Sequence, residues 1–202
     1  SRIARYALDA NDPTTSITAY QAMYDRVDRP DIRARALLGL GRAHELAHRP
    51  NEAYTYYNNL IEHHPKRPET DEAHYRVGLI LRDHQNAPKD AQKAFRALIE
   101  TNRRNTWRYK ALFALAEGHL QIDEQAKAKD AWLQITSERK NAQEGSEARF
   151  CLAELHFFTG QMNAAQTLLD TLLKADINRD IVNDAIALFA LIQEGQRTDS
   201  TL

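Results

Sequence analysis

Apolar residues recur every three or four positions along almost the whole chain, the spacing of helices that each bury one face. Proline, asparagine, aspartate and glycine interrupt the pattern at short intervals, as at Asn11-Asp12-Pro13, Arg49-Pro50-Asn51, His64-Pro65, Asn86-Ala87-Pro88, Ile122-Asp123 and Gly160. Proline suits a first helical turn, asparagine and aspartate cap helix starts, and glycine accepts the left-handed exit. The pattern predicts eleven helices, over about 2–10, 14–27, 31–47, 51–63, 69–84, 88–101, 106–121, 124–138, 143–159, 162–175 and 180–194. It predicts no strand and no linker. The loops are short, so neighbouring helices run antiparallel.

A second regularity lies above the helical one. Small residues stand at Ala53, Ala91, Ala128 and Ala165, with gaps of 38, 37 and 37, and four positions after each comes Tyr57, Phe95, Trp132 or Leu169. Another small series, Gly41, Gly78, Ala116 and Ala153, precedes the first by 12 or 13 residues. Two helices approach closely only where side chains are small, and a large residue one turn on fills the space beside the crossing. A fixed period of this length marks a stack of helix pairs, none of which can bury its apolar face alone.

On these residues the chain resembles the tetratricopeptide repeat family. Leu40-Gly41-x-x-His44, Ala53-x-x-x-Tyr57 and Pro65 match the family's leucine-glycine-x-x-tyrosine, alanine, aromatic and proline positions, with His in the tyrosine slot. Val77-Gly78, Ala91 and Phe95 follow, with one extra residue around Pro88; then Leu115-Ala116, Ala128 and Trp132; then Leu152-Ala153, Ala165 and Leu169. Counting 37 places back from Gly41 and Tyr57 gives Ala4 and Tyr20, a truncated first unit. The resemblance implies an all-α, right-handed α-solenoid of about five helix pairs. Its units would be about 1–29, 30–67, 68–104, 105–141 and 142–178, in one domain spanning 1–202, with 180–194 as a closing helix. The period exceeds the family's usual 34. In this it resembles bacterial cell-envelope members, such as outer-membrane assembly lipoproteins and the Tol–Pal cell-division coordinator, which implies a periplasmic setting.

Composition narrows the function classes. The formal charge is −1 with 27% charged residues, and neither sign forms a long run, so no nucleic-acid arm or acidic tail is expected. The basic pairs Lys66-Arg67, Arg103-Arg104 and Arg139-Lys140 are too short to change that. No apolar run approaches the roughly 18 residues of a membrane helix, and no signal peptide is seen. The single Cys151 excludes an internal disulfide. Ser1 leads at once into helix-like sequence without Met, which reads as a piece of a longer chain.

Three features suggest chemistry. His44-Glu45-Leu46-Ala47-His48 matches the zinc-peptidase H-E-x-x-H, but Arg49-Pro50 ends the helix at once and no third ligand follows. His44, His119 and His156 share one repeat slot, yet successive pairs stand about 10 Å apart, too far for ligands that must lie about 2 Å from one metal. Cys151, between Phe150 and Leu152, reads as a small packed residue rather than a nucleophile. No enzyme activity, metal or cofactor is expected.

In the family the first helix of each pair lines a concave surface. The resemblance therefore implies a groove formed by Arg35, Leu38, Arg42, Tyr75, Leu79, Arg82, Lys110, Phe113, Glu117, Phe150, Glu154 and Phe157. This wall would be basic early, aromatic in the middle and acidic late, with Glu147 adding to the last part. Such a groove suits an extended peptide or a helix of a protein partner. The alternative for the aromatics is packing between repeats. Self-assembly is the competing expectation, through Ile3, Tyr6 and Leu8 of the truncated first unit.

Overall fold

In a computed structural model of the 202-residue chain, residues 2–101, 105–174 and 179–199 are described. The turns expected around 102–104 and 176–178, with the Arg103-Arg104 pair, lie outside the described residues. Among the described residues there are eleven helices: α1 (Arg2–Asp9), α2 (Pro13–Arg26), α3 (Pro30–Leu46), α4 (Pro50–His63), α5 (Glu69–Asp83), α6 (Pro88–Glu100), α7 (Thr106–Gln121), α8 (Gln125–Glu138), α9 (Gln143–Phe158), α10 (Met162–Leu173) and α11 (Arg179–Asp199). No strand occurs among the described residues. The architecture of the described residues is all-α, with successive helices packed each against the next within each unit.

The turn inside each pair is built the same way five times. Asn11, His48, Asn86, Asp123 and Gly160 all adopt positive φ, between 48° and 75°. The next residue's N–H donates back to the end of the preceding helix: Asp12 to Ala7, Arg49 to His44, Ala87 to Leu81, Glu124 to His119 and Gln161 to His156, all at 2.8–2.9 Å. This left-handed exit satisfies carbonyls that the helix end would otherwise leave open. The longer loop at Ala87 absorbs the one residue that makes a single interval 38 rather than 37. Proline follows in the first turn of α4 and α6, where a missing N–H costs nothing.

Residues 1–111 and 112–202 form two compact units. In the first, α1 through α6 pack each against the next, and α3 also meets α1 and α5. Rings sit directly on glycines. A Cβ at Gly41 would stand 2.2 Å from the Tyr57 ring, one at Gly78 2.3 Å from Phe95, and one at Gly39 2.4 Å from Tyr20. Tyr20 also joins Ala4 and Leu40 in one cluster, with Ile17 and Met23 beside it. In the second unit, α9 packs on α8, α10 and α11. Its core joins Ala153, Ala165, Leu169 and Leu172 to Ala185 and Ile192 of α11.

The last helix differs from expectation in length. The sequence pattern ends it at 194, before Gly195, but Gly195 is helical and α11 runs on through Asp199. A sixth left-handed turn would be due at position 197, which is 37 places after Gly160, and the helix passes through it.

Candidate functional site

An open trough of about 900 Å³ lies across α1, α2 and α3 in the first unit. On α3 the i, i+3, i+7 spacing brings Arg35, Leu38 and Arg42 onto one face. Across from them, α1 contributes Arg2, Ile3 and Arg5, the last turn of α2 contributes Met23 and Arg26, and Val27 follows as its C-cap. Gly39 is part of the floor, because the Tyr20 ring lies on it and no side chain could. The lining contains five arginines and no carboxylate.

The arginines are held differently. Arg42 makes a bidentate pair with Glu72 of α5, its Nε donating to Oε1 at 2.7 Å. The Glu72 side chain is only 4% exposed. Arg76 Nε lies 3.4 Å from Glu72, and its Nη1 donates to Glu45 at 2.8 Å. These four residues tie α3 to α5. Burial pushes the Glu45 carboxyl upward, against the pull of Arg76. Arg35 donates to Asp31, one turn back on its own helix, at 2.8 Å. Arg2, Arg5 and Arg26 are exposed and make no ion pair among the described residues.

The other expected groove residues of this unit lie outside the trough. Tyr75 is half-buried, with its ring centroid 6.0 Å from Phe95 and 5.6 Å from Trp107. Lys110 stands over the Trp107 ring at 4.8 Å and the Tyr75 ring at 5.9 Å, a cation–π arrangement. Tyr75 thus packs between repeats and keeps one edge open. Arg82 pairs with its neighbour Asp83 at 2.7 Å. Leu79 lines a smaller depression of about 340 Å³ with Glu45, His48, Asp83 and His84.

In the second unit, Phe113 is half-buried and Glu117 exposed on α7. Phe150 and Phe157 of α9 pack against the core around Leu169. Glu154 is half-buried, and burial followed by the charge of Asp184 raises its carboxyl. Burial, then the charges of Glu154, Glu117 and Glu147, push the Cys151 thiol up to about 12. A thiol in acidic surroundings is the opposite of an activated nucleophile.

The histidine motifs are structural. His44 is buried, stacks on Tyr56 at 5.0 Å, and burial lowers its pKa. His48 is not on the helix at all; it is the left-handed turn residue. The repeat slot instead makes a clasp. His119 Nδ1 meets Glu124 at 2.7 Å and His156 Nδ1 meets Gln161 at 2.7 Å, each partner being the residue whose N–H already bonds that histidine's carbonyl. In the earlier repeat that place belongs to Arg49, whose side chain offers no acceptor, and His44 Nδ1 has no hydrogen-bond partner among the described residues. Among the described residues no group of three His, Cys, Asp or Glu could hold a metal ion. Among them, too, no helix is long and apolar enough to cross a membrane.

Of the groove residues expected from the sequence, Arg35, Leu38 and Arg42 line this trough, while Arg2, Arg5, Arg26 and Gly39 of its lining were not among them. One signal was available, since Arg5 stands 37 places before Arg42. Arg26 carried none, because it reaches the trough from the second helix of its pair.

Comparison with known proteins agrees with the all-helical repeat fold. A family model described as tetratricopeptide repeat matches residues 1–53 and 47–105, just over half of the 202. The fold is similar to that of MamA, at 18% identity over 99% of this chain and 98% of that one, with a TM-score of 0.58. It is similar to a tetratricopeptide repeat protein of Parabacteroides merdae, at 14% identity, 98% and 73% coverage and a TM-score of 0.68. It also matches a thermophilic TPR protein of Thermus thermophilus, at 16% identity, 94% and 96% coverage and a TM-score of 0.56. Identities this low speak to the fold alone. No curated protein matches the chain at a significant level.

Proposed function

The chain belongs to the tetratricopeptide repeat family, whose members generally serve as protein-interaction scaffolds, and on that premise we propose that it binds an acidic, partly apolar segment of a protein partner in the trough of α1, α2 and α3. The observation that carries this reading is the lining: five arginines around apolar side chains, without a carboxylate among them. Arg2, Arg5 and Arg26, which make no ion pair among the described residues, attract an anionic segment and set its orientation, while apolar contacts such as Met23 and Leu38 supply most of the affinity. The remaining expected groove positions, from Tyr75, Leu79, Arg82 and Lys110 in the first unit to Phe113, Glu117, Phe150, Glu154 and Phe157 in the second, are proposed as further contacts with a protein partner, each within its own unit.

The test avoids Arg42, whose replacement would strand the buried Glu72 carboxylate and confuse binding with stability. Arg5→Glu with Arg26→Glu removes charge from the trough without touching an ion pair among the described residues. A fluorescent acidic amphipathic peptide, followed by anisotropy, should bind the wild-type chain in a salt-dependent way and bind the double variant at least tenfold more weakly. A basic peptide of the same apolar pattern is the control. Equal binding of both peptides, or no effect of the double variant, overturns the reading.

A further inference from the structure

His44 stands in a slot that two later repeats complete with a side-chain oxygen. His119 Nδ1 meets Glu124 Oε2 and His156 Nδ1 meets Gln161 Oε1, both at 2.7 Å, and each partner is the N-cap of the second helix of its pair. Lys127, in the first turn of α8, holds the other Glu124 oxygen at 2.5 Å. The N-cap of α4 is Arg49, which offers donors and no acceptor. His44 is 7% exposed, its ring stacks on Tyr56, and its Nδ1 is buried without a hydrogen-bond partner among the described residues. The same atom of His119 and His156 points at the start of the following helix, so the His44 edge is directed at the start of α4. A buried polar atom left in this condition costs stability, and an acceptor brought to it recovers that cost.

The surroundings favour an anionic acceptor. Arg49 is exposed, makes no ion pair among the described residues, and is close enough for its charge to act on His44. No side chain caps α4, and Pro50 has no N–H, so the amides of Asn51 and Glu52 open the helix without an intrahelical acceptor. The positive end of the helix dipole lies at the same place. One group opposes: Glu52, exposed in the first turn, whose charge also acts on His44. We propose that the start of α4 is a carboxylate-binding subsite, in which an oxygen of the ligand accepts from His44 Nδ1–H while Arg49 meets its charge. The ligand carboxylate stands where Glu124 stands in the later repeat, and Arg49 takes the part of Lys127. The bond requires the imidazole proton on Nδ1. The carboxylate belongs either to a small free acid or to an acidic side chain of another polypeptide. The subsite shares no residue with the lining of the trough, so it does not rest on the reading given for that trough.

Nitrogen–proton correlation spectra of the histidine rings test this in the 202-residue chain, at constant pH and ionic strength. His44→Tyr identifies the His44 signal by its loss. Sodium acetate should shift the Nδ1 resonance to saturation with a dissociation constant of about 5–100 mM, the range of one charge-assisted hydrogen bond, and sodium chloride should not. Arg49→Gln supplies the oxygen that Gln161 gives to His156, so it should abolish the acetate shift and leave the melting temperature no lower. Glu52→Gln removes the opposing charge and should tighten binding roughly 2- to 5-fold. Arg5→Glu with Arg26→Glu should leave acetate binding unchanged, which separates this subsite from the trough. A short peptide blocked at both ends around one aspartate distinguishes the two sources: saturation by peptide and acetate alike assigns the subsite to a polypeptide side chain, by acetate alone to a small free acid. An unmoved His44 signal overturns the proposal, as do equal shifts with acetate and chloride. So does an Arg49→Gln chain that binds acetate as tightly as the wild type, or weaker binding in Glu52→Gln.

Discussion

The ring of Tyr57 occupies the space that any side chain at position 41 would need, with its Cε1 atom 2.2 Å from the place of a Cβ. Tyr57 is fully buried and comes from the second helix of the same pair, so it can retreat only by moving α4 off α3. The same relation holds between Phe95 and Gly78. Close approach at glycine is therefore what sets the spacing of these pairs.

Gly41→Ala should destabilise the chain by about 1–3 kcal/mol, the usual cost of an overpacked site. Gly118→Ala, in the interior of α7, is the matched control, because nothing lies within 4 Å of its Cβ position. There the gain in helix propensity should dominate, a stabilisation of about 0.5–1 kcal/mol. Urea denaturation of the two variants checks both signs. Equal effects would show that space at Gly41 is not limiting.

His44 should make the fold acid-sensitive. Burial lowers its folded pKa below the ordinary 6.5. Between the two values the unfolded chain holds a proton that the folded chain does not, so stability rises with pH through this window and falls as pH drops below 6.5. His64, also lowered, acts in the same direction. His44→Tyr, which fills the slot with the family's own residue, should flatten the dependence of melting temperature on pH between about 7.5 and 5.5. It should leave the contribution of His64. An unchanged slope would mean that His44 is not the group responsible.

Cys151 should be a slow thiol. Moving its pKa from the ordinary 9.0 to about 12 cuts the thiolate at neutral pH roughly a thousandfold. Alkylation by iodoacetamide should be far slower in the native chain than in urea. A native rate equal to the unfolded rate would remove the acidic, buried environment assigned to this residue.

Much of this molecule was legible as text because its packing repeats. Ala53 with Tyr57, Ala91 with Phe95 and their later equivalents mark the crossings, since only a small residue allows the approach and only a large one fills the remaining space. The turns were legible for a similar reason, as Asn11, His48, Asn86, Asp123 and Gly160 recur at the same period. The misleading H-E-x-x-H motif dissolves once His48 is recognised as one of those turn residues.

The chain's order of residues thus settles which helices exist, how they pair and where they touch, because those contacts are local and each pair restates them. Which arginine faces solvent is a different kind of fact. Arg42 meets Glu72 across 30 residues, while Arg5, its periodic equivalent, stands open. Arg26 enters the trough from the end of α2, the second helix of its pair. Likewise Ala190 keeps the register of Ala153, yet only the packed molecule reveals that its side of α11 stays exposed. Burial and charge pairing depend on what stands beside a residue in space, and a repeated local pattern does not state which side chain of the neighbouring helix that is.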